Sequence, residues 1–274
     1  MIIGTQLFGF KDEFNKDLQG TIREIRKLGY DLIEPILMLK EEQGEHPKNE
    51  WAADTLALAM EAVKETGLQM VSAHIQLKPE DRPEDVAPWL MRFYGKGFRY
   101  FIFSGMFGDE ENSAAFGRRI RLIREEALKA GLPAEVRFLY HNHGMEFTRL
   151  SAEKFALDAV LSKAGEDFQL ELDFGWADYA GVSLEELRKY YDRVRIVHLK
   201  DFNLGTRDIS TLENRAEIFA AIGEGTCPIR ETLHLLGDLK NWDGILILDQ
   251  DYAEYGMLKA METGLRNVKR MLKE

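Results

Sequence analysis

The chain switches between two hydrophobic periods from one end to the other, and this alternation limits its folds more than any other feature. Short β-rich runs fall near residues 2–8, 31–35, 68–74, 99–104, 136–142, 168–173, 194–199 and 244–249. Between them apolar residues step by three and four, as in Leu18, Ile22, Ile25, Leu28, and again in Met257, Met261, Leu265, Val268, Leu272. Such steps line one face of a helix, whereas the short runs suit buried strands. Strict strand–helix alternation predicts a parallel sheet, because parallel neighbours need a crossover between them. Eight such units predict closure into an α/β (β/α)8 barrel rather than an open sheet. An open doubly wound sheet would carry Gly-x-Gly-x-x-Gly after the first strand, and this chain has none there.

Punctuation agrees with that plan. Gly29, Gly67, Gly97 and Gly131 each close a helical stretch before a strand, as left-handed helix caps do. Ser151 and Ser183 stand before acidic helix starts and are expected as N-caps. No Pro- or Ser-rich linker divides the chain, so residues 1–274 are expected to form one domain. The longer connections Lys40–Glu50 and Phe202–Ala216 both follow strands, and are expected to cover the barrel's functional rim.

Composition narrows the partners. A net charge of −11 disfavours nucleic acid and anionic membranes, since phosphate binding needs clustered Lys and Arg. A single cysteine, Cys227, excludes an internal disulfide and fits a reducing, cytoplasmic setting. The opening Met1–Phe8 lacks the basic start of a signal peptide and reads as a first strand. No apolar run approaches the roughly 20 residues of a membrane-spanning helix. Homo-oligomers remain open, although no helix is apolar enough all round to mark an interface.

Four strand-like runs end in chemistry-bearing residues: Arg137–His143, Gln169–Asp173, Arg195–Asp201 and Ile245–Asp251. Barrels gather their active sites from such C-terminal strand ends. Residues two apart in a strand share a face, so His141 pairs with His143, Glu171 with Asp173, His198 with Lys200, and Asp249 with Asp251. Imidazole with carboxylate suits Mn²⁺, Zn²⁺, Co²⁺ or Mg²⁺ in a mixed nitrogen/oxygen site with positions left open. For a lone strand histidine a core role outweighs a ligand role; for His141 and His198, with acids at parallel positions, the balance reverses. Glu171 lies one layer deeper, where structure and function weigh equally, as they do for Glu34 and His74 at the ends of strands two and three. Asp201 could equally pin the following loop. The amides around Gly223 and Gly225 could approach a phosphate, but a turn is the default there. Tryptophans are more often core than sugar platform, but Trp176 sits beside Asp173 and could line a pocket.

These residues together resemble a known family. Tyr140-His141-Asn142-His143 with Glu146-Phe147, then Asp173-Phe174-Gly175-Trp176, His198-Leu199-Lys200-Asp201 and Gly223-Glu224-Gly225 look like the sugar phosphate isomerase/epimerase group. This is the xylose isomerase-like TIM barrel superfamily, which also contains AP endonuclease family 2. The resemblance extends to Ile3-Gly4-Thr5-Gln6 and Gly29–Glu34, and so covers nearly the whole chain. It implies a divalent metal ion held by a Glu from strand five, an Asp from six, a His from seven and a Glu from eight. Asp173 and His198 match the middle two. His141 stands where strand five has Glu, with Glu146 a few residues on, and Asp249 replaces the Glu of strand eight, one methylene shorter.

The resemblance implies a metal-dependent sugar or keto-polyol isomerase or epimerase working through an enediolate. Its metal ligands would be His141, Asp173, His198 and Asp249, and its acid-base pair Glu146 and Asp249. Substrate would meet His74, His143, Lys200 and Trp176. A keto-inositol or keto-sugar dehydratase or lyase would begin with the same proton abstraction. A metal-dependent endonuclease would need basic loops that the acidic total disfavours. A non-catalytic sugar-binding barrel is the remaining alternative, supported only by the two ligand departures.

Overall fold

The computed structural model of the chain describes residues 1–42, 49–203 and 217–274. Ten parallel strands form its main sheet: β1 (Ile2–Gln6), β2 (Leu32–Glu34), β3 (Ile36–Met38), β4 (Glu50–Trp51), β5 (Ser72–Gln76), β6 (Tyr100–Ser104), β7 (Arg137–His141), β8 (Gln169–Asp173), β9 (Val194–Leu199) and, after a short ribbon, β12 (Ile245–Leu248). Their order is β2-β1-β12-β9-β8-β7-β6-β5-β3-β4. Since β2 and β3 are neighbours in the chain, the ring closes through Pro35. The eight expected strands are therefore present, with the second one interrupted and β4 added alongside it. The fold is the expected α/β (β/α)8 barrel.

The interruption has a local cause. Proline lacks an N–H and cannot complete a ladder. On one side of it β2 pairs with β1, and on the other β3 pairs with β5. The Pro35 carbonyl still accepts from the His74 amide (2.9 Å). The third strand begins later than its apolar run suggests. Gln69 makes only an isolated bridge to Leu32, and the ladder proper starts at Ser72.

Side-chain alternation sorts the barrel into layers. Leu32, Ile102, Leu139, Ile196, Ile245 and Ile247 pack inside its lower half. The intervening strand residues, among them Phe101, Phe138, Leu170, Val197 and Leu246, join one large core with helical residues such as Ile22, Leu56, Phe93, Ile120, Val160 and Leu265. Two residues above the inner apolar layer, the same strand faces carry Glu34, His74, His141, Glu171 and His198, all buried. That step is the strand period of two, and it turns an apolar plug into a polar floor. At Gly4 the interior has no room for more: a Cβ there would lie 2.6 Å from Ile247 Cδ1 and 2.7 Å from Leu32 Cδ2.

Helix ends follow the sequence in most places. Gly29 and Gly67 cap their helices at φ of 99° and 70°, where a side chain would be strained. Ser183 forms a capping box with Glu186. The N-cap expected at Ser151 is a correction. The helix begins at Ala156, and Asp158 accepts from the Phe155 amide (2.7 Å). Residues Arg149 and Phe155 instead bridge across a small loop that holds Ser151 outside the helix.

A second, antiparallel ribbon joins β10 (Asp201–Phe202) to β11 (Phe219–Ala220). Most of the connections Lys40–Glu50 and Phe202–Ala216, expected to cover the rim, lies outside the described residues. Among the described residues no helix is long and apolar enough to cross a membrane.

Candidate active site

Asp173 and His198 end neighbouring strands and are direct register partners. Ligand-type atoms of His141, Asp173, His198 and Asp249 all lie within 4.8 Å of one another. Donors sharing one ion with bonds of about 2 Å stand at most about 4 Å apart, so small adjustments would bring all four onto an ion. Asp249 thus reaches the cluster despite lacking the methylene of a glutamate.

The hydrogen bonding points to three of these four residues. Asp173 Oδ1 accepts from the Trp176 amide (2.8 Å) and caps the helix Phe174–Tyr179. Its Oδ2 is buried with no hydrogen-bond partner, as are Asp249 Oδ1 and His198 Nδ1. Buried polar atoms are nearly always satisfied. Three orphaned donor atoms of metal-ligating type in one cluster therefore fit a bound cation.

Below them, two buried carboxylates interlock with three imidazoles. His198 Nε2 faces Glu34 Oε1 at 3.0 Å, and His74 Nε2 lies 3.2 Å from that oxygen and 2.9 Å from Glu171 Oε2. His141 Nδ1 lies 3.0 Å from Glu171 Oε2, which turns its other nitrogen toward the cavity. Ser72 donates to Glu34. Carboxylates behind histidines in this way fix ring orientation and raise ligand basicity. A second group, His74, His141, Glu171 and His198, is equally compact, but its members bond chiefly to one another.

Burial pushes the Glu34 carboxyl up, yet bonds from His198 and His74 outweigh it and hold the group below its ordinary range. Glu171 is likewise brought down to about 2, because His198, His74 and His141 overcome burial and the nearby Glu34 charge. Burial alone would lower His74, but Glu171 and Glu34 raise it to about 9. His141 goes the other way: burial and the neighbouring imidazoles keep it well below its usual value. Asp173 rises to about 6 through burial, with Asp249 adding to it and Lys200 and His198 opposing.

Lys200 sits at the top of the site, 3.0 Å from Asp249 Oδ2 and 2.8 Å from Asp251 Oδ1. Its ammonium also lies 4.9 Å from the centre of the Trp176 ring. Burial would lower its pKa, but Asp249, Asp251 and Asp173 raise it above the ordinary value, so it stays charged. Behind it the helix approaches closely at Gly175, where a Cβ would lie 2.3 Å from the Lys200 carbonyl oxygen.

His141, Lys200, Asp249 and Asp251 line one cavity of about 1080 Å³ together with His74, His143 and Trp176, whereas Asp173 and His198 are fully buried against it. Glu146, expected from the sequence as an acid-base group, stands apart. It is fully buried and outside the cavity lining. The Tyr140 hydroxyl donates to its Oε1 (2.8 Å) and the His143 amide to its Oε2 (3.0 Å). Tyr140 in turn accepts from the Gly105 amide (3.2 Å). Glu146 therefore clamps the turn that presents His143, a role that no spacing in the sequence announces.

Asp201 is a loop anchor. Its Oδ1 accepts from the amides of Phe202 (2.9 Å) and Cys227 (3.0 Å), and its Oδ2 from those of Gly223 (2.8 Å) and Gly225 (2.9 Å). The glycine amides that could have met a phosphate are thus engaged by the protein's own carboxylate. A Cβ at Gly225 would lie 2.2 Å from Asp201 Oδ1, so the close approach requires glycine.

Residues 22–274 match the model of the xylose isomerase-like TIM barrel family. A sugar phosphate isomerase/epimerase from Parabacteroides distasonis is 18% identical, over 98% of this chain and 94% of its own, with a TM-score of 0.67. The IolI protein with a bound zinc atom is 14% identical, over 100% and 98%, with a TM-score of 0.66. An AP endonuclease of family 2 from Brucella melitensis is 14% identical, over 96% of each chain, with a TM-score of 0.61. At these identities the likeness is one of fold. No curated protein matches the chain in sequence.

Proposed function

The chain belongs to the xylose isomerase-like TIM barrel family, and on that scaffold we propose that it is a divalent-metal-dependent isomerase or epimerase of sugars or keto-polyols. The carrying observation is the cluster of His141, Asp173, His198 and Asp249, with three of its donor atoms buried and unbonded. The zinc in the IolI structure supports the same choice of chemistry. These four residues would hold the ion, which when bound supplies Lewis acidity toward neighbouring substrate oxygens.

The chain's own groups account for the proton transfers. Asp249, kept ionised despite its burial by Lys200 and His198, takes the proton next to the substrate carbonyl as well as contributing to the ion's site. Lys200 carries three donors and uses two on Asp249 and Asp251; the third faces the oxygen on which enediolate charge develops. His143, partly exposed in the cavity and presented by the Glu146 clamp, serves the opposite side of the substrate. His74 and Trp176 orient its hydroxyls and ring. The floor of Glu34 and Glu171 holds the imidazoles in place.

The test is proton NMR of a panel of keto and aldo sugars in D₂O, with elemental analysis of the same sample. Deuterium entering a carbon next to the carbonyl, together with about one divalent ion per chain, is the expected outcome. A new unsaturated or deoxy product would assign a dehydratase or lyase instead. Turnover undiminished after complete metal removal would refute the metal-dependent reading.

A further inference from the structure

The cavity is divided around the ring. Of its charged groups, Lys200, Asp249 and Asp251 follow β9 and β12. The loops after β5, β6 and β7 contribute Leu77, Met106, Phe107 and Met145. At about 1080 Å³ the space reaches the upper end of pockets that enclose drug-sized ligands, about 300–1,000 Å³. A bare sugar over the floor leaves the second wall uncovered.

That wall is exposed as well as apolar. Met106 is 62% and Met145 51% exposed, although most large hydrophobic side chains of the described residues are buried. Exposed apolar side chains gathered at one place mark a binding surface. Behind them Phe107 packs on Phe116 with ring centres 5.3 Å apart. Methionine side chains are polarisable and make favourable sulfur–aromatic contacts, so this wall suits a flat aromatic partner.

Charge separates this site from a phosphate site. Among the described residues lining the cavity, the cations are Lys200, Arg119 and His74, the last held by Glu34 and Glu171. Lys200 is paired with two aspartates, and Arg119 donates to the carbonyls of Lys78 and Asp81. Glu50, Asp249 and Asp251 also line the space and would repel a dianion.

We infer that the substrate is an unphosphorylated sugar or keto sugar bearing an aromatic substituent, the sugar lying over the Lys200–Asp249 floor and the substituent against Leu77, Met106, Phe107 and Met145. The inference rests on the proposed sugar chemistry of the same site. It predicts that size and flatness of the substituent, more than the sugar's own charge, set affinity.

Isothermal titration of the metal-loaded protein with paired phenyl and methyl glycosides of glucose, galactose, mannose and xylose, and with glucose 6-phosphate, tests it. In at least one pair the phenyl member should bind at least about tenfold more tightly, the effect of burying one aromatic ring. Combining Met106→Ser with Met145→Ser, both exposed positions, should reduce that ratio to about threefold or less. Equal affinity within every pair that binds overturns the substituent while leaving the sugar reading in place. A phenyl preference untouched by the double substitution overturns the assigned wall. Tighter binding of the sugar phosphate than of any methyl glycoside overturns the unphosphorylated substrate. If no sugar binds at all, both this inference and the proposed function fail.

Discussion

Replacing Asp201 with alanine removes one carboxylate and leaves four backbone amides, those of Phe202, Gly223, Gly225 and Cys227, without their acceptor. A hydrogen bond to a charged group contributes about 1.5–3 kcal/mol, and an orphaned buried donor costs about 1–3 kcal/mol. Apart from that of Phe202, the amides here are only partly buried, and some regain water. The expected loss is therefore about 3–5 kcal/mol in all, a large share of the 5–15 kcal/mol that holds a typical domain together. Asp201→Asn should lose less, about 2–3 kcal/mol, because its remaining oxygen can still serve one pair of amides while its NH₂ group opposes the other pair. Urea unfolding followed by circular dichroism gives both values from the midpoint, provided the slope stays constant. If both variants lie within about 1 kcal/mol of the parent, the carboxylate is not what organises this loop, and the glycine amides would be free to meet an external anion after all.

Three further outcomes follow from the site and the core. Asp173→Asn should keep the fold, since its amide oxygen can still cap the Trp176 N–H, but the bound ion measured by elemental analysis should drop by about tenfold or more and turnover should go with it; full metal content would remove Asp173 from the ligand set. Gly175→Ala should destabilise by about 1–3 kcal/mol through overpacking against Lys200, with thermal melting as the readout and an unchanged melting temperature as the contrary result. Tyr30 and Tyr140 are buried, and burial raises both phenols well above 10.0. Their protonated forms favour the fold, so this contribution is intact below pH 10 and is lost as pH rises toward the folded-state values. Stability should fall by about 3 kcal/mol per pH unit above pH 10, and alkaline denaturation followed by tyrosinate absorbance would detect a flat profile if that reasoning fails.

The barrel was legible because its two hydrophobic periods never overlap. Phe138, Tyr140, Leu170 and Val197 face the helices while Leu139 and Ile196 face the axis, as alternation requires. The four strand ends were legible for the same reason, since a chemistry-bearing residue two places above an inner isoleucine has only one direction to point. Partnership was harder to read. Glu34, His74 and Glu171 stand on three strands, and only the ladder register brings them within hydrogen-bond reach. Nothing local distinguishes Glu146 as a clamp from Glu146 as a base. The difference lies in the Tyr140 hydroxyl, which reaches it from the outer face of the preceding strand. Ser151 failed as a cap because a loop bridge competed with the helix start, which moves four residues on to Phe155, whose amide Asp158 accepts from.

The break at Pro35 has a consequence for motion. Here two three-residue pieces share one place in the wall: β2 holds β1 and bonds to Gln69, β3 holds β5 and β4, and the Pro35 carbonyl accepts from His74 between them. Proline removes one amide donor from this strand, so the amides flanking it should exchange faster than those within an unbroken ladder. Glu34 and His74 hang from its two sides. Any breathing of the seam would shift those two supports beneath His198, tying the chemistry of the pocket to this broken strand.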